Sequence, residues 1–122
     1  MRHLILVLDN EFETLGMLRE TLTPIGFEVV WVNVAAIMEH GWLKKTNFEG
    51  IILNFDMRDY PGMTMLKRLH EQGVEIPVIV MSSRSNGEQF AVRNGARDYI
   101  LKPIDTAELQ KKCLRHFRPQ SP

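Results

Sequence analysis

Five short apolar runs recur along the chain, separated by stretches in which apolar residues return at helical spacing. The first run is continuous rather than alternating, as expected for a strand that helices cover on both faces. The second is rich in β-branched and aromatic residues, which favour strands. The runs are LILVL at 4–8, FEVVWV at 27–32, GIILNF at 50–55, PVIVM at 77–81 and DYILK at 98–102. We predict that each run forms a strand.

The stretches between the runs predict helices. In the first stretch the apolar residues Phe12, Leu15, Leu18 and Leu22 recur at helical spacing, and Gly26 marks the end of the helix. The predicted helices cover 12–26, 35–46, 63–73, a short segment that ends at Asn94-Gly95, and 105–117. Strict alternation of strand and helix implies one parallel sheet with helices on both faces, which is the doubly wound α/β architecture.

Length and charge limit the class of protein. The 122 residues suffice for one domain with a single core. Fifteen basic and fifteen acidic residues cancel, which argues against nucleic acid or a membrane surface as the primary partner. The single cysteine, Cys113, excludes an internal disulfide and makes a reducing cytoplasm the expected location. No apolar run approaches the roughly 20 residues that span a bilayer.

The last five residues have the composition of a linker. Residues 118–122 read RPQSP, and two prolines so close together do not continue a helix. We therefore expect one domain over 1–117 and the start of a linker or tail over 118–122. Such a tail favours a domain that is one module of a longer protein.

Polar side chains follow four of the five predicted strands. Because the carboxyl ends of parallel strands meet at one edge of a doubly wound sheet, we expect these side chains to converge. Clustered oxygen ligands suit a hard cation such as Mg²⁺, and a lysine opposite them can pair with an acid or a phosphoryl oxygen. The residues are Asp9, Asn10, Glu11, Asn54, Asp56, Ser82, Ser83 and Lys102, and Pro103 follows the lysine. The sequence therefore predicts a pocket at this edge.

Three segments resemble parts of response-regulator receiver domains. They are LILVLDNE, PVIVMSS and NGARDYILKP, and the match runs over about 1–117. The resemblance implies a (βα)5, flavodoxin-like domain of two-component signal transduction and phosphorelays. In that family a histidine kinase donates phosphate to an aspartate at the tip of the third strand, and magnesium assists. It also implies a signalling module that is not an enzyme, apart from slow hydrolysis of its own acyl phosphate.

The resemblance implies roles for individual residues as well. At the acidic positions, Asp9 matches the first magnesium-binding acid, Asn10 stands in place of the second, and Glu11 follows as a third acidic residue. Ser82 matches the switch hydroxyl and Tyr99 the switch aromatic. Lys102 matches the pocket lysine, and Pro103 the proline after a typically cis bond. A hydroxyl and an aromatic side chain relay the signal to the surface in that family. Asn10 removes one of the negative charges that would hold a metal ion.

The acceptor position on the third strand admits two alignments. The first alignment counts forward from Phe48-Glu49: four residues, 50–53, follow this pair, and the acceptor position then falls on Asn54. Counting back from Pro61 favours Asp56, because the family's proline normally lies four residues after the acceptor. Asp56 as the acceptor would leave Asn54 inside the central strand, where an unpaired amide costs about 1–3 kcal/mol, whereas a loop insertion costs less. We predict that Asn54 occupies the acceptor position.

Three functions are compatible with the sequence. The favoured one is a degenerate receiver that acts through protein contacts without being phosphorylated, because Asn54 cannot form an acyl phosphate. The second is a working receiver that is phosphorylated on Asp56, with Asp9 and Glu11 rebuilding a Mg²⁺ site. The third is an unrelated flavodoxin-like enzyme or nucleotide binder, against which the absence of a glycine-rich phosphate loop counts. The implied partners are a histidine kinase or an output domain, with a homodimer as a further arrangement, and no cofactor is expected unless Mg²⁺ binds the acidic pocket.

Overall fold

Five parallel strands form a single sheet in the computed structural model, which describes residues 3–9, 11–32, 47–57 and 61–117. The strands are β1 (His3–Leu8), β2 (Phe27–Trp31), β3 (Gly50–Asn54), β4 (Val78–Ser82) and β5 (Asp98–Leu101). Their order across the sheet is β2-β1-β3-β4-β5. The chain changes direction of winding between β1 and β3, which is where doubly wound sheets hold their functional groups. The predicted doubly wound, five-stranded sheet is confirmed.

Helices connect the strands. Within the described residues they are α1 (Phe12–Leu22), α2 (Gly62–Glu71), α3 (Glu88–Arg93) and α4 (Thr106–His116), with short 3-10 segments at Thr23–Ile25 and Ser85–Gly87. The first helix ends before the predicted boundary at Gly26, because Pro24 lacks a backbone N–H and crowds the preceding turn. The predicted helix over 35–46 lies outside the described residues. None of the helices that the structure describes is long and apolar enough to cross a membrane.

Apolar side chains cover both faces of the sheet. Successive residues of a strand point to opposite faces. Accordingly, Ile5 and Val7 of β1 pack in the cluster that contains residues of α1 and α4. Leu6 and Leu8 pack in the cluster that contains residues of α2 and α3. Burial on both faces explains why the apolar run of β1 is continuous.

The beginning of β3 lies directly under an aromatic ring. A Cβ atom added at Gly50 would lie 2.3 Å from Cγ of Phe117, so no larger residue fits there without a shift. Phe117 is itself buried and follows the last residue of α4. The end of the last helix is therefore packed on the start of the central strand.

Side-chain ion pairs connect α4 to β5. Oδ1 of Asp98 lies 3.1 Å from Nζ of Lys112, and its Oδ2 lies 2.9 Å from Nε2 of His116. Burial raises the pKa of Asp98, but hydrogen bonds from the backbone of Tyr99, from His116 and from Lys112 outweigh it, so the pKa lies below the ordinary value of 3.8. At the other end of α4, Asp105 accepts hydrogen bonds from two backbone N–H groups of the first turn and so caps the helix.

Candidate functional site at the carboxyl edge of the sheet

The carboxyl ends of β1, β3, β4 and β5 bring five of the predicted residues together. Each of them contacts at least one of the others through a hydrogen bond or an ion pair. They are Asp9, Asn54, Asp56, Ser82 and Lys102. Their convergence follows from the parallel topology, which sets the ends of neighbouring strands side by side.

Asn54 occupies the centre of this cluster. It is the last residue of β3 and is fully buried. Its Nδ2 donates to Oδ1 of Asp9 over 3.0 Å. Its Oδ1 accepts from Nζ of Lys102 at 2.9 Å and from the backbone N of Asp56 at 3.0 Å. The amide is therefore paired on both sides, and the penalty for an unpaired buried amide, used above to choose the alignment, does not arise.

The neighbours of Asn54 determine the orientation of its amide. A carboxylate accepts hydrogen bonds, whereas an ammonium group and a backbone N–H donate them. Nδ2 therefore faces Asp9 and Oδ1 faces Lys102, since the reverse orientation would oppose like groups on both sides. An aspartate at this position would instead set two carboxylates about 3 Å apart, which raises the pKa of one of them unless a cation lies between.

Asp9 forms the acidic end of the cluster. It directly follows β1 and is fully buried. Besides the bond from Asn54, its Oδ1 accepts a hydrogen bond from the backbone N of Glu11 at 3.1 Å. The indole Nε1 of Trp31 donates to its backbone oxygen. Asp9 is thus held just before the start of α1, where the helix dipole favours negative charge.

The carboxylate of Asp56 turns back toward the strand ends although the residue lies in the loop after β3. Its Oδ1 accepts a hydrogen bond from Oγ of Ser82 at 3.1 Å. Its Oδ2 accepts from the backbone N of Ser83 at 2.9 Å and lies 3.1 Å from Nζ of Lys102. The side chain is 25% exposed. The two oxygens therefore contact donors at the end of β4, in the loop after β4 and directly after β5.

These donors keep Asp56 ionised. Burial raises the pKa of Asp56, but hydrogen bonds from Lys102 and from the backbone of Ser83, together with the charge of Lys102, outweigh burial. The pKa lies below the ordinary value of 3.8, so the carboxylate is charged at neutral pH. The charge of Lys102 is thus balanced inside the site by Asp56.

A chain of hydrogen bonds leads from Asp56 to Tyr99. Oγ of Ser82, a fully buried residue, donates to Asp56 and accepts from the backbone N of Arg84 at 3.1 Å. The backbone oxygen of Arg84 in turn accepts a hydrogen bond from the hydroxyl of Tyr99. The ring of Tyr99 is buried edge-on against Phe55, with ring centroids 6.2 Å apart. The predicted hydroxyl and aromatic are therefore connected through the backbone of one residue.

The remaining predicted residues contribute less. Asn10 lies outside the described residues. Glu11 is exposed and bonds to Asp9 through its backbone N–H. The peptide bond between Lys102 and Pro103 is cis, as the resemblance implied. In the ranges that the structure describes, no group of three His, Cys, Asp or Glu side chains is placed to hold a metal ion.

An open cleft of about 370 Å³ adjoins Asp56. It lies between the loop after β3 and the loop after β4. Its walls include Asp56, Ser83 and Arg84 on the polar side and Met57 and Met63 on the apolar side. The Asp56 carboxylate can therefore be reached from the surface.

Two kinds of contributor to the site were missing from the sequence-based prediction: backbone groups and the indole of Trp31. The backbone N–H of Ser83 donates to Asp56, and that of Arg84 donates to Ser82. Any residue except proline has a backbone N–H, so such contacts cannot be inferred from residue type. Trp31 could have been found from topology, because a parallel pairing of β1 with β2 sets it opposite Val7, near the end of β1.

The fold and the site together define a receiver domain. Residues 5–114 match the response regulator receiver domain family, and the chain belongs to that family. The chain is 29% identical over 118 residues to the transcriptional regulatory protein ZraR of Escherichia coli (strain K12), a match that covers 92% of this chain and 26% of ZraR. It is 28% identical over 109 residues to protein RcaC of Microchaete diplosiphon, covering 86% of this chain and 16% of RcaC. The chain thus spans about a quarter or less of these relatives.

Solved receiver structures have the same fold. The receiver domain of the Francisella response regulator 1452 superposes with a TM-score of 0.83 at 19% identity, covering 95% of this chain and 97% of that one. The receiver domain of the sensor histidine kinase PA1611 of Pseudomonas aeruginosa PAO1, which has a magnesium ion coordinated in its active-site cleft, superposes with a TM-score of 0.78 at 18% identity, covering 96% and 98%. The predicted family and fold are confirmed.

Proposed function

We propose that this receiver domain transmits signals through protein contacts and does not accept a phosphoryl group. The observation that carries the proposal is the position of Asn54 at the carboxyl end of the central strand, between Asp9 and Lys102. In the receiver family an aspartate at the tip of this strand takes the phosphoryl group. An acyl phosphate forms only on a carboxylate oxygen, and the side-chain amide of Asn54 offers no such nucleophile.

The charges of the site support the same function. Clustered carboxylates need a cation between them, and hard cations such as Mg²⁺ select oxygen ligands that carry negative charge. Here the amide of Asn54 donates to Asp9, and Lys102 neutralises Asp56. Each acid of the described cluster thus has a donor from the protein itself. Asp9 and Asp56 would be the protein ligands of any Mg²⁺ that entered, and the ion would compete with these donors.

Phosphorylation of Asp56 is the second candidate. It is favoured by the depressed pKa of Asp56, which keeps the carboxylate ionised, and by the nearby Ser82 hydroxyl and Lys102. Against it, the two oxygens of Asp56 already accept from Ser82, Ser83 and Lys102. Hydrogen bonds from three donors stabilise the charge of the carboxylate and hold it toward β4 and Lys102, which makes it a weaker nucleophile.

The proposed partners are proteins. Receiver domains work with histidine kinases and with output domains, and this chain is a member of that family. Its fifteen basic and fifteen acidic residues balance, so a general attraction to nucleic acid is not the basis of the interaction. We assign the signal to a change in the surface that the domain presents to such a protein, with no chemical reaction catalysed by the domain.

Incubation with acetyl phosphate and Mg²⁺, followed by intact mass spectrometry, tests the proposal. The wild-type protein is expected to keep its mass. The double variant Asn10→Asp/Asn54→Asp, which restores two carboxylates, is the matched positive control and is expected to gain the mass of one phosphoryl group.

A phosphoryl group on the wild-type protein that disappears in Asp56→Ala would overturn the proposal and establish the second candidate. An unchanged mass of the double variant would show instead that Asn54 does not stand at the acceptor position. A receiver domain with an acceptor aspartate, run in parallel under the same conditions, separates failure of the assay from failure of the assignment.

A further inference from the structure

We propose that Asp56 is a resident anion that holds the segment 82–87 closed over Tyr99, and that withdrawal of this carboxylate is the conformational switch of the domain. The inference rests on the proposed function, because it replaces a phosphoryl group by a carboxylate of the chain itself. It assigns an anion-binding site to three donors: Oγ of Ser82, the backbone N of Ser83 and Nζ of Lys102.

The three donors require a negatively charged partner. Ser82 is fully buried, so its hydroxyl cannot turn to water if its acceptor is lost. Lys102 is 24% exposed, and without Asp56 its ammonium would keep water and the neutral oxygen of Asn54 but lose the carboxylate that balances its charge. A backbone N–H, a hydroxyl and an ammonium that point at one position favour a carboxylate or a phosphate there. Asp56 fills this position from within the chain.

Occupation of the anion site is transmitted to the loop after β4. The hydroxyl of Ser82 binds Asp56 as donor and the backbone N of Arg84 as acceptor. The carbonyl of Arg84 then accepts from Tyr99. Both backbone groups of Arg84 are thus held, one by the occupied anion site and one by the aromatic residue. Loss of the anion frees Ser82 to rotate and removes one of these two restraints.

A second path joins the same parts of the molecule. Phe55 lies between Asn54 and Asp56 in sequence, and its ring contacts those of Tyr99 and Phe90 edge-on at centroid distances of 6.2 and 6.5 Å. A move of Asp56 out of the anion site therefore shifts the peptide that carries Phe55. The buried position of Tyr99 depends on the loop above it and on the ring beside it.

The structure also leaves room for the switch to open. Asp56 lines the cleft of about 370 Å³, together with Ser83 and Arg84, and 25% of its side chain is exposed. A residue in a loop can leave its donors by small backbone rotations, whereas a residue inside β3 cannot. Asp56 is therefore the movable member of the cluster, and Asn54 is the fixed one.

Chemical rescue of Asp56→Ala tests the inference. Two readouts apply: hydrogen exchange of the backbone amide of Arg84, and the ¹⁹F NMR signal of 3-fluorotyrosine at residue 99, assigned with Tyr60→Phe. The substitution is expected to speed exchange at Arg84 by about tenfold or more, because a hydrogen-bonded restraint is lost. It is also expected to move the signal of Tyr99 toward the position of an exposed tyrosine. Formate or inorganic phosphate at millimolar concentration is expected to reverse both changes.

Matched variants control for unspecific effects. Glu20→Gln removes one negative charge from an exposed residue of α1 outside the site and is expected to leave both readouts unchanged. Ser82→Ala is expected to reproduce the effect of Asp56→Ala, and Ser82→Thr, which keeps the hydroxyl, is expected not to. If Asp56→Ala does not fold, Asp56→Asn and the Ser82 pair carry the same test.

Unchanged exchange at Arg84 and an unchanged Tyr99 signal in the Asp56 variants would overturn the inference. So would changes in Asp56→Ala that neither formate nor phosphate reverses, because they would reflect a packing defect rather than an empty anion site. These outcomes are distinct from failure of the proposed function, which appears as a mass increase of the wild-type protein.

Discussion

Nδ2 of Asn54 donates a hydrogen bond to Oδ1 of Asp9 over 3.0 Å, and both residues are fully buried. On the other side of the same amide, Lys102 donates to Oδ1. The amide therefore joins an acid and a base without carrying charge itself. A neutral side chain that donates to one partner and accepts from the other lets the cluster pack without a bound cation.

Asn54→Asp is expected to destabilise the folded protein by about 1–3 kcal/mol without divalent cations, because it removes the donor to Asp9 and sets two carboxylates together. Mg²⁺ is expected to recover a large part of this loss, since it can lie between the two acids. Urea unfolding of the variant with and without Mg²⁺ measures both effects.

Asn86→Asp is the matched control for this change. It makes the same chemical substitution at an exposed residue of the 3-10 segment and is expected to change stability by less than about 0.5 kcal/mol. A wild-type protein stabilised by Mg²⁺ as strongly as Asn54→Asp would contradict the assignment.

Gly87→Ala is expected to cost about 1–3 kcal/mol, because overpacking in a well-packed region forces neighbouring groups to move. A Cβ at this position would lie 2.7 Å from the hydroxyl oxygen of Tyr99. The backbone of Gly87 has φ −85°, which suits any residue, so the cost comes from the contact alone. Thermal or urea unfolding measures the loss.

Tyr99→Phe tests whether the contact with the Tyr99 hydroxyl causes the loss of stability. In that background the closest atom is gone, and Gly87→Ala is expected to cost clearly less than in the wild-type protein. Gly16→Ala is the control for glycine replacement in general: nothing lies within 4 Å of its added Cβ, and a helical site favours alanine by about 0.5–1 kcal/mol. Equal costs of Gly87→Ala in both backgrounds would rule out the contact with Tyr99 as the cause.

Stability is expected to fall as the pH drops below about 4. The folded-state pKa values of Asp56 and Asp98 lie below the ordinary value of 3.8, so the unfolded chain binds protons first in this range. The stabilisation from these residues is complete above 3.8 and is lost as the pH falls through the folded-state values. Urea midpoints measured between pH 2 and pH 7 report the slope.

Asp56→Asn and Asp98→Asn each remove one of the two titrations. Each variant is expected to be less stable than the wild-type protein at neutral pH and to show a shallower loss on acidification. Glu20→Gln again serves as the control. A slope below pH 4 that is the same in all four proteins would assign the acid sensitivity to other carboxylates.

Cys113 is expected to be unreactive in the folded protein. The residue is fully buried, and burial raises the pKa of its thiol to about 12, so almost no thiolate is present at pH 8. Reaction with Ellman's reagent should therefore follow global unfolding and become rapid in urea. Fast labelling in native buffer would show that α4 separates from the sheet without unfolding.

The strands can be predicted from the sequence because burial on both faces makes each of them an apolar run. Their ends depend on single residues. The run at 77–81 becomes a strand at Val78–Ser82, because Pro77 has no N–H for the ladder, although its carbonyl accepts from Ile51. Local backbone chemistry of this kind shifts boundaries without changing the topology.

The members of the site can be predicted only in part. Residues at strand ends converge by topology, which is why Asp9, Asn54, Ser82 and Lys102 meet as expected. The direction of Asp56 depends on donors that lie 27 residues away at Ser83 and still farther away at Lys102. The premise that a buried amide would be unpaired was wrong for a similar reason, since its partner Asp9 is 45 residues away in the chain. Pairing across strands leaves no local pattern.

The contact between Gly50 and Phe117 constrains how related chains can diverge. Because the ring occupies the space of a side chain at residue 50, neither position can vary independently of the other. A homologue with alanine or a larger residue at position 50 is expected to carry a smaller side chain at position 117. The two ends of this contact are 67 positions apart, so such paired exchange would appear in an alignment as covariation between the start of the central strand and the end of the last helix.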